Sequence, residues 1–250
     1  MKIGVSTLAL MPMSFEDILN YLERIEVEYV EIIREYPYHE IDSNLLNSYN
    51  FKTTVHSPIS DINIASLNES IRTASIKEIK DSIDLASKID ASAVVVPPGH
   101  MAFLAREFQS DIMKNCQKSL KECLEYADKS GISLCVENMP DMEGMLCKSL
   151  VELNELTQEV GALMTLDVGH ANNMGLSIDD MLKYDNIGHI HLSDNDGSFD
   201  NHDALGSENI DFKSLFEGLK EKNFDGICVI EVKSQDEIPK SIEYIKNLDI

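Results

Sequence analysis

Basic residues, tryptophan and long apolar runs are scarce in this chain of 250 residues. It carries 21 Lys and Arg against 44 Asp and Glu, which gives a formal net charge of −23. Because such a charge repels phosphate at long range, it argues against a general nucleic-acid or membrane-surface binder. Tryptophan is absent, and no apolar stretch approaches the roughly 20 residues that a membrane-spanning helix requires. We therefore expect no membrane association, and DNA is a disfavoured partner.

The cysteines lack the patterns that hold small secreted proteins together. There are five of them, an odd number, and no two form a Cys-x-x-Cys pair. Core thiols in a reducing compartment are therefore predicted, rather than disulfides or thiolate metal sites. The N-terminal segment has one Lys and an apolar run too short for the core of a signal peptide. Together these features predict a cytoplasmic protein.

Short apolar runs rich in β-branched residues alternate with longer amphipathic segments along the whole chain. Helical periodicity in the longer segments, as in 76–87 and 112–127, implies crossover connections and a parallel sheet. The predicted strands are 3–7, 29–33, 53–56, 93–96, 134–137, 164–167, 187–191 and 226–231. Eight strand–helix units in 250 residues give 250/8, about 31 residues per unit, which is typical of a (β/α)₈ barrel.

A doubly wound open sheet is the alternative architecture. Such a sheet usually has a glycine-rich phosphate turn after its first strand, whereas residues 6–10 read Ser-Thr-Leu-Ala-Leu here. No linker, low-complexity tract or charge block divides the chain. We therefore predict an α/β fold: a single TIM-barrel domain over residues 1–250, with a metal site at the C-terminal ends of its strands.

Six consecutive predicted strands, from the third to the eighth, each finish in or just before His, Asp or Glu. Five of the seven histidines lie at or beyond strand ends on this same face: His56, His100, His170, His191 and His202. The acidic residues at strand ends are Glu137, Asp167 and Glu231. Without cations, such a gathering would suffer like-charge repulsion and desolvation, so it indicates bound divalent metal. Mixed His and carboxylate ligation suits Zn²⁺, Mn²⁺, Fe²⁺ or Co²⁺ better than an all-oxygen Mg²⁺ or Ca²⁺ site.

The loop after the seventh strand contributes two further candidates, Asp200 and His202. They are two residues apart, so in an extended segment both side chains face the same way. An acidic, solvated loop with a turn at Asp196 and Gly197 is the other interpretation, and the spacing alone favours it.

Seven short segments, in this order and spacing, resemble the xylose isomerase-like TIM barrel superfamily, which joins sugar isomerases and epimerases to endonuclease IV. The resemblance spans essentially the whole chain, and the combination is specific although each segment alone is weak. The segments are Val55-His56-Ser57-Pro58, Pro98-Gly99-His100, Val136-Glu137-Asn138, Leu166-Asp167-Val168-Gly169-His170, His189-Ile190-His191-Leu192-Ser193-Asp194, Asp200-Asn201-His202 with Leu205-Gly206, and Ile230-Glu231.

The resemblance implies two sets of metal ligands, and thus one to three ions of Zn²⁺ or Mn²⁺. The positions at which endonuclease IV holds three zinc ions fall here on His56, His100, Glu137, Asp167, His170, His191, Asp200, His202 and Glu231. In the sugar isomerases and epimerases, which commonly need one metal, the implied ligands are Glu137, Asp167, His191 and Glu231. His170 would then touch the sugar.

This chain departs from both patterns where substrate would bind. Asn201 stands where the endonuclease usually has an Arg, and Ile59 where it has a DNA-probing aromatic residue. Gly197 lies where epimerases often place a substrate-binding Arg. The sequence therefore matches the family's metal site better than it matches either substrate apparatus.

The favoured function is a metal-dependent isomerase or epimerase acting on a sugar or sugar phosphate. Glu137 and Glu231 would remove and return a proton across an enediolate of a metal-bound ketose. Lys233 and Arg34 are candidates for holding a phosphate or carboxylate tail, and surface charge is the alternative role for both.

Two other classes stay open. An endonuclease IV-like phosphodiesterase would use a trinuclear zinc site to cleave abasic DNA, with Arg34, Tyr36 and Tyr38 entering a groove. The same loop holds Glu35 and Glu40, and no basic stripe accompanies it. A protein that binds metal or sugar without turnover is the third class, and a homodimer is left open.

Overall fold

Eight parallel strands pair in chain order and close into a barrel, with the first strand paired to the eighth. The computed structural model describes residues 1–248. The strands are β1 Lys2–Ser6, β2 Tyr29–Ile33, β3 Lys52–His56, β4 Ala93–Val96, β5 Ser133–Glu137, β6 Leu163–Asp167, β7 Ile187–Leu192 and β8 Ile227–Ile230. The predicted (β/α)₈ barrel is confirmed, and each predicted strand overlaps an observed one.

Helices occupy the connections between the strands. The α-helices of residues 1–248 are α1 Phe15–Arg24, α2 Ser43–Leu46, α3 Glu69–Lys88, α4 Gln109–Asp128, α5 Leu150–Val160, α6 Val168–Asn173, α7 Ile178–Met181, α8 Phe212–Glu221 and α9 Glu237–Asn247. Two 3₁₀ helices cover Thr7–Leu10 and Phe103–Phe108. None of the helices described is long and apolar enough to cross a membrane.

Local sequence explains where these helices begin and which face they bury. The hydroxyl of Ser14 accepts a hydrogen bond from the backbone N–H of Asp17 at 3.1 Å, which caps the free donors at the start of α1. In α3, Ile79 and Ile83 are spaced by one helical turn and are both fully buried. All five cysteines are buried and free, as the composition predicts.

The interior of the barrel is polar beneath its carboxyl-terminal rim. Oε2 of Glu31 in β2 lies 2.8 Å from Nε2 of His189 in β7. Because β2 and β7 are not neighbours in the sheet, this contact crosses the inside of the barrel. Barrel interiors are usually filled by Val, Ile and Leu, so charged groups at this depth point to a functional demand.

Candidate metal centre

Four buried side chains converge at the C-terminal ends of β5 to β8. Glu137 ends β5, Asp167 ends β6, His191 is the penultimate residue of β7, and Glu231 directly follows β8. One ligand atom from each lies within 4.8 Å of the others. We call these four residues the rim centre; none of them is more than 4% exposed.

One imidazole nitrogen of the rim centre faces three carboxylates. Nδ1 of His191 lies 2.6 Å from Oε1 of Glu137, 3.0 Å from Oε2 of Glu231 and 3.7 Å from Oδ2 of Asp167. Oδ2 of Asp167 is buried and has no hydrogen-bond partner. Three mutually repelling carboxylates with an unpartnered oxygen require positive charge between them. This donor set, three carboxylates and one imidazole, therefore fits a divalent ion.

The same crowding shifts the pKa values of the rim centre. Burial would raise the pKa of the Glu137 carboxyl, but the charges and hydrogen bonds of His191 and His56 lower it well below its usual range. Burial and His191 act on Glu231 in the same opposed way, with a lowered pKa as the result. Although burial would lower the pKa of His191, the surrounding carboxylates raise it well above its ordinary value. Protons on the imidazoles thus offset the carboxylate charge.

Asp167 is oriented by neighbours on both sides. The side-chain amide of Asn138 donates to the backbone oxygen of Asp167 at 2.9 Å and accepts from its N–H at 2.8 Å. The backbone N–H of His170 donates to Oδ1 of Asp167 at 2.8 Å, so this carboxylate also caps α6. With Oδ1 engaged in the cap, Oδ2 is left facing the rim centre.

A second cluster, formed by His170, Asp200 and His202, lies beside the rim centre. Oδ2 of Asp200 is 3.1 Å from Nε2 of His170 and 3.0 Å from Nε2 of His202. Each ring is fixed at its other nitrogen, because Nδ1 of His170 lies 2.7 Å from the carbonyl oxygen of Asn138 and Nδ1 of His202 lies 2.8 Å from that of Glu231. Both Nε2 atoms therefore point at one carboxylate, and Oδ1 of Asp200 is buried without a partner.

Charge in the second cluster is also strongly perturbed. Burial opposes protonation of both histidines, but the neighbouring carboxylates raise the pKa of His170 to about 9 and that of His202 to about 10. The pKa of Asp200 is lowered, because the two imidazoles outweigh its burial. Each of these three residues offers a ligand atom within 4.8 Å of the others, so the second cluster is also a candidate metal site.

The loop that carries Asp200 and His202 is held in place by Asp194. Its carboxylate accepts hydrogen bonds from the backbone N–H groups of Gly206 at 3.0 Å, Glu208 at 2.9 Å and Ile210 at 3.2 Å. The side chains of Asp200 and His202 are only 12% and 21% exposed. They face the mouth of the barrel rather than solvent, contrary to the solvated loop that spacing alone favours.

His56 and His100 occupy different environments. Nε2 of His56 lies 3.3 Å from Oε2 of Glu137, and both residues form a group of close ligand atoms with His191. The side chain of His100 is exposed and belongs to none of the groups found in residues 1–248. Its backbone is held by Asn63, which donates to its carbonyl at 2.8 Å and accepts from its N–H at 3.1 Å. Of the nine ligand positions predicted from sequence, the structure brings eight together and leaves out His100.

The two predicted tail-binding cations have acidic partners within the chain. Nη1 of Arg34 lies 2.7 Å from Oε2 of Glu78, and the arginine side chain is 9% exposed. Lys233 pairs with Asp203 and lies 3.7 Å from Glu237. Neither is a free positive group at the mouth of the barrel.

Sequence reasoning missed two buried residues, Glu31 and His189. Glu31 lies two residues before the end of β2, and His189 two residues before His191. Both residues precede the strand ends, but side chains two apart on a strand point to the same face, so Glu31 and His189 also face the barrel interior. The sequence does contain a signal for Glu31, because it is the one charged residue in the otherwise apolar segment 29–33.

The fold and the rim centre define a class: a (β/α)₈ barrel with buried acid and imidazole groups gathered at its carboxyl-terminal rim. More particularly, the chain belongs to the xylose isomerase-like TIM barrel family, whose family model matches residues 19–248. An uncharacterized protein of Methanocaldococcus jannaschii is 34% identical over 259 residues, which cover 98% of this chain and 88% of that protein.

The similar proteins that carry a functional name include sugar epimerases. Fructoselysine 3-epimerase of Escherichia coli O157:H7 is 23% identical over 170 residues, which cover 66% of this chain and 61% of that enzyme. The crystal structure of a D-tagatose 3-epimerase-like protein is 32% identical and superposes with a TM-score of 0.89, covering 99% of this chain and 97% of that one. The similarity to this structure extends over the entire barrel.

Proposed function

We propose that this protein is a divalent-metal-dependent epimerase or isomerase of a keto sugar. The rim centre carries the proposal, because its donor set suits a divalent ion and two of its members, Glu137 and Glu231, are carboxylates that can also exchange protons. Similarity to fructoselysine 3-epimerase and to a D-tagatose 3-epimerase-like protein supports the sugar as the substrate class.

The residues of the rim centre would hold the ion. A divalent ion bound there supplies a Lewis acid that polarises a carbonyl and the adjacent hydroxyl of a sugar. Glu137 ends β5 and Glu231 directly follows β8, so a carbon lying between them would have a carboxyl group on each side. The ionised one removes the proton next to the carbonyl, and the electron pair moves to the carbonyl oxygen, which gives an enediolate. The other, in its protonated form, returns a proton to the opposite face.

The two carboxyl groups are close enough to act on one carbon, because both lie within 3.0 Å of Nδ1 of His191. Although burial would raise the pKa of both, the charge of His191 lowers it, so both start ionised and either can act as the base. The other group must take up a proton from solvent before it can return one to the substrate. His170, on the second-cluster side of the rim, is the group placed to contact a sugar hydroxyl.

The loops after the strands offer no free cation for a phosphate. In residues 1–248, each Lys and Arg between the end of a strand and the following helix has an acidic partner. The pairs are Arg34 with Glu78, Arg106 with Glu143, Lys148 with Asp141, and Lys233 with Asp203. A phosphate would have to break one of these pairs to gain charged hydrogen bonds. We therefore propose a neutral keto sugar rather than a sugar phosphate.

Helix N-termini near the eighth strand are also unsuited to an anion. The phosphate site of many TIM barrels uses the loops after the seventh and eighth strands and a helix N-terminus. Asp211 caps α8 and accepts from the N–H of Ser214 at 3.0 Å, and Asp236 precedes α9. The carboxylate of Asp211 occupies the N-terminus of α8, where a phosphate would have to bind, and Asp236 adds a negative charge next to α9.

Deuterium exchange tests the proposal directly. The metal-loaded protein is incubated in D₂O with a panel of neutral ketoses and their phosphates. We expect solvent deuterium at the carbon next to the carbonyl of a neutral ketose, and loss of this exchange in Glu137→Gln and Glu231→Gln. Glu125→Gln, an exposed residue on α4, is the matched control and should exchange like the wild type. Absence of exchange with every sugar of the panel would contradict the proposal.

The second cluster supports a second candidate, an endonuclease IV-like phosphodiesterase. Its three residues, together with His56 and the rim centre, give ligands for more than one ion. The paired cations of the loops argue against DNA binding, since duplex binders present several free Lys and Arg to phosphates. Three tightly held Zn²⁺ ions with cleavage of an abasic-site duplex, and no ketose exchange, would establish this candidate in place of the first.

A further inference from the structure

A fully buried carboxylate, that of Glu31, lies directly beneath the rim centre. Its Oε1 is 2.9 Å from Nε2 of His191. The other nitrogen of the same ring, Nδ1, faces the three carboxylates of the rim centre. A single imidazole therefore links Glu31 to the site where a metal ion would bind.

Glu31 has few partners for a charge that is shut off from water. Oε2 lies 2.8 Å from Nε2 of His189 and accepts a hydrogen bond from the hydroxyl of Thr54 at 2.9 Å. In the described chain its ion-pair partners are the two histidines, and no Lys or Arg contacts it. Burying a carboxylate lowers the stability of the fold by several kcal/mol unless the group is paired and hydrogen-bonded. The position of Glu31 under the rim centre therefore points to a function.

The contact with Nε2 determines what Nδ1 can do. A neutral imidazole carries one proton, and ligation through Nδ1 requires that proton to sit on Nε2. A carboxylate beside Nε2 favours this tautomer and restricts rotation of the ring. We propose that Glu31 is a positioning residue, which acts through His191 to present Nδ1 to the ion of the rim centre. The inference rests on the metal site of the proposed function.

The competing interpretation is that Glu31 itself ligates a second ion with His189 and His191. One ligand atom from each of the three lies within 4.8 Å of the others. This group offers a single carboxylate, whereas the rim centre offers three, and its three side chains are at most 1% exposed. A divalent ion there would keep a net positive charge in a site closed to water, at a high desolvation cost. The charges therefore favour positioning over ligation.

Cobalt titration of the metal-free, full-length protein tests this role. Co²⁺ affinity and the visible d–d spectrum are measured for the wild type, Glu31→Gln and Glu31→Asp, with Thr54→Val as the matched control. We expect Glu31→Gln to weaken Co²⁺ binding about 10- to 100-fold and to change the spectrum, because the ring is no longer fixed. Glu31→Asp keeps the charge and should recover part of the affinity. Thr54→Val removes a different contact of Glu31 and should keep the wild-type spectrum.

The outcomes separate this inference from the proposed function. If Glu31→Gln and Glu31→Asp lower only the melting temperature, with wild-type affinity and spectrum, Glu31 is merely structural and the inference is wrong. If the wild type binds two ions and Glu31→Gln loses one of them, Glu31 is a ligand and the inference is also wrong. If the wild type binds no Co²⁺ at all, the proposed function itself fails. If Glu31→Gln does not fold, the comparison of Glu31→Asp with the wild type decides.

Discussion

The rim centre and the second cluster are built from similar side chains but are supported differently. The rim centre is carried by four adjacent strands, so the barrel itself fixes its geometry. Asp200 and His202 of the second cluster lie on a loop whose shape depends on hydrogen bonds to Asp194. Sites on regular elements are held more tightly than sites on loops. We therefore expect the rim centre to withstand changes that dismantle the second cluster.

The largest effect is expected from a change within the rim centre. Glu231→Gln removes a group that exchanges protons with the substrate while keeping its size. Loss of general acid–base catalysis costs roughly 10²- to 10⁴-fold, so deuterium exchange into a ketose should fall by that factor. Exchange is followed by mass spectrometry at saturating metal. A rate within a few-fold of the wild type would remove Glu231 from the mechanism.

Asp194→Asn separates the two regions. The amide replaces one accepting oxygen with a donor, which leaves buried N–H groups of the loop unpaired at a cost of about 1–3 kcal/mol. We expect a lower free energy of unfolding in urea and weaker binding of any ion held by His170, Asp200 and His202. One ion should still bind at the rim centre. Loss of all metal binding in a folded variant would show that the two regions are not independent.

Metal-free protein should lose stability as the pH rises. The pKa of His56 is raised to about 9 in the fold, where burial is outweighed by Glu137, and His170 and His202 behave alike. A group with a raised pKa in the fold stabilises it fully below about 6.5, and that contribution is lost as the pH rises through about 9 to 10. The melting temperature should therefore fall between pH 6.5 and 9 in the presence of a chelator. Saturating Mn²⁺, which replaces the protons, should flatten the profile; equal slopes with and without metal would contradict this.

The smallest effect is expected at His100. Its side chain is exposed and outside the clusters of residues 1–248, so His100→Ala should leave metal stoichiometry and exchange rate unchanged. His56→Ala is the informative comparison. Because His56 contacts Glu137, this variant should bind metal more weakly than the wild type. Equal losses in the two variants, measured by equilibrium dialysis, would restore His100 as a ligand.

Most strands and helices can be predicted from the sequence, because apolar residues recur with different periods in strands and in helices. Strands β2 and β4 begin and end where the apolar runs do. The predicted helix 76–87 is too short, since α3 starts at Glu69, where Asn68 caps it. Its first turns show weak periodicity, so the helix pattern is visible only further along.

Part of the candidate site could be read from sequence because a closed parallel barrel brings all strand ends to one rim. Partners distant in sequence could not be predicted. Arg34 is paired with Glu78, 44 residues away, and the orientation of His100 depends on Asn63, 37 residues away. Glu31 lies below the strand ends and contacts His191 across the barrel. Predicting this contact requires the diameter of the barrel and the register of its strands, which the sequence does not give.

The central claim is that Glu137, Asp167, His191 and Glu231 share one divalent ion. Anomalous X-ray diffraction from crystals grown with Mn²⁺ or Zn²⁺ tests it most directly. We predict a strong anomalous peak within bonding distance of all four side chains. Crystals in which these residues bind no ion at saturating metal, while ions appear elsewhere, would contradict the claim.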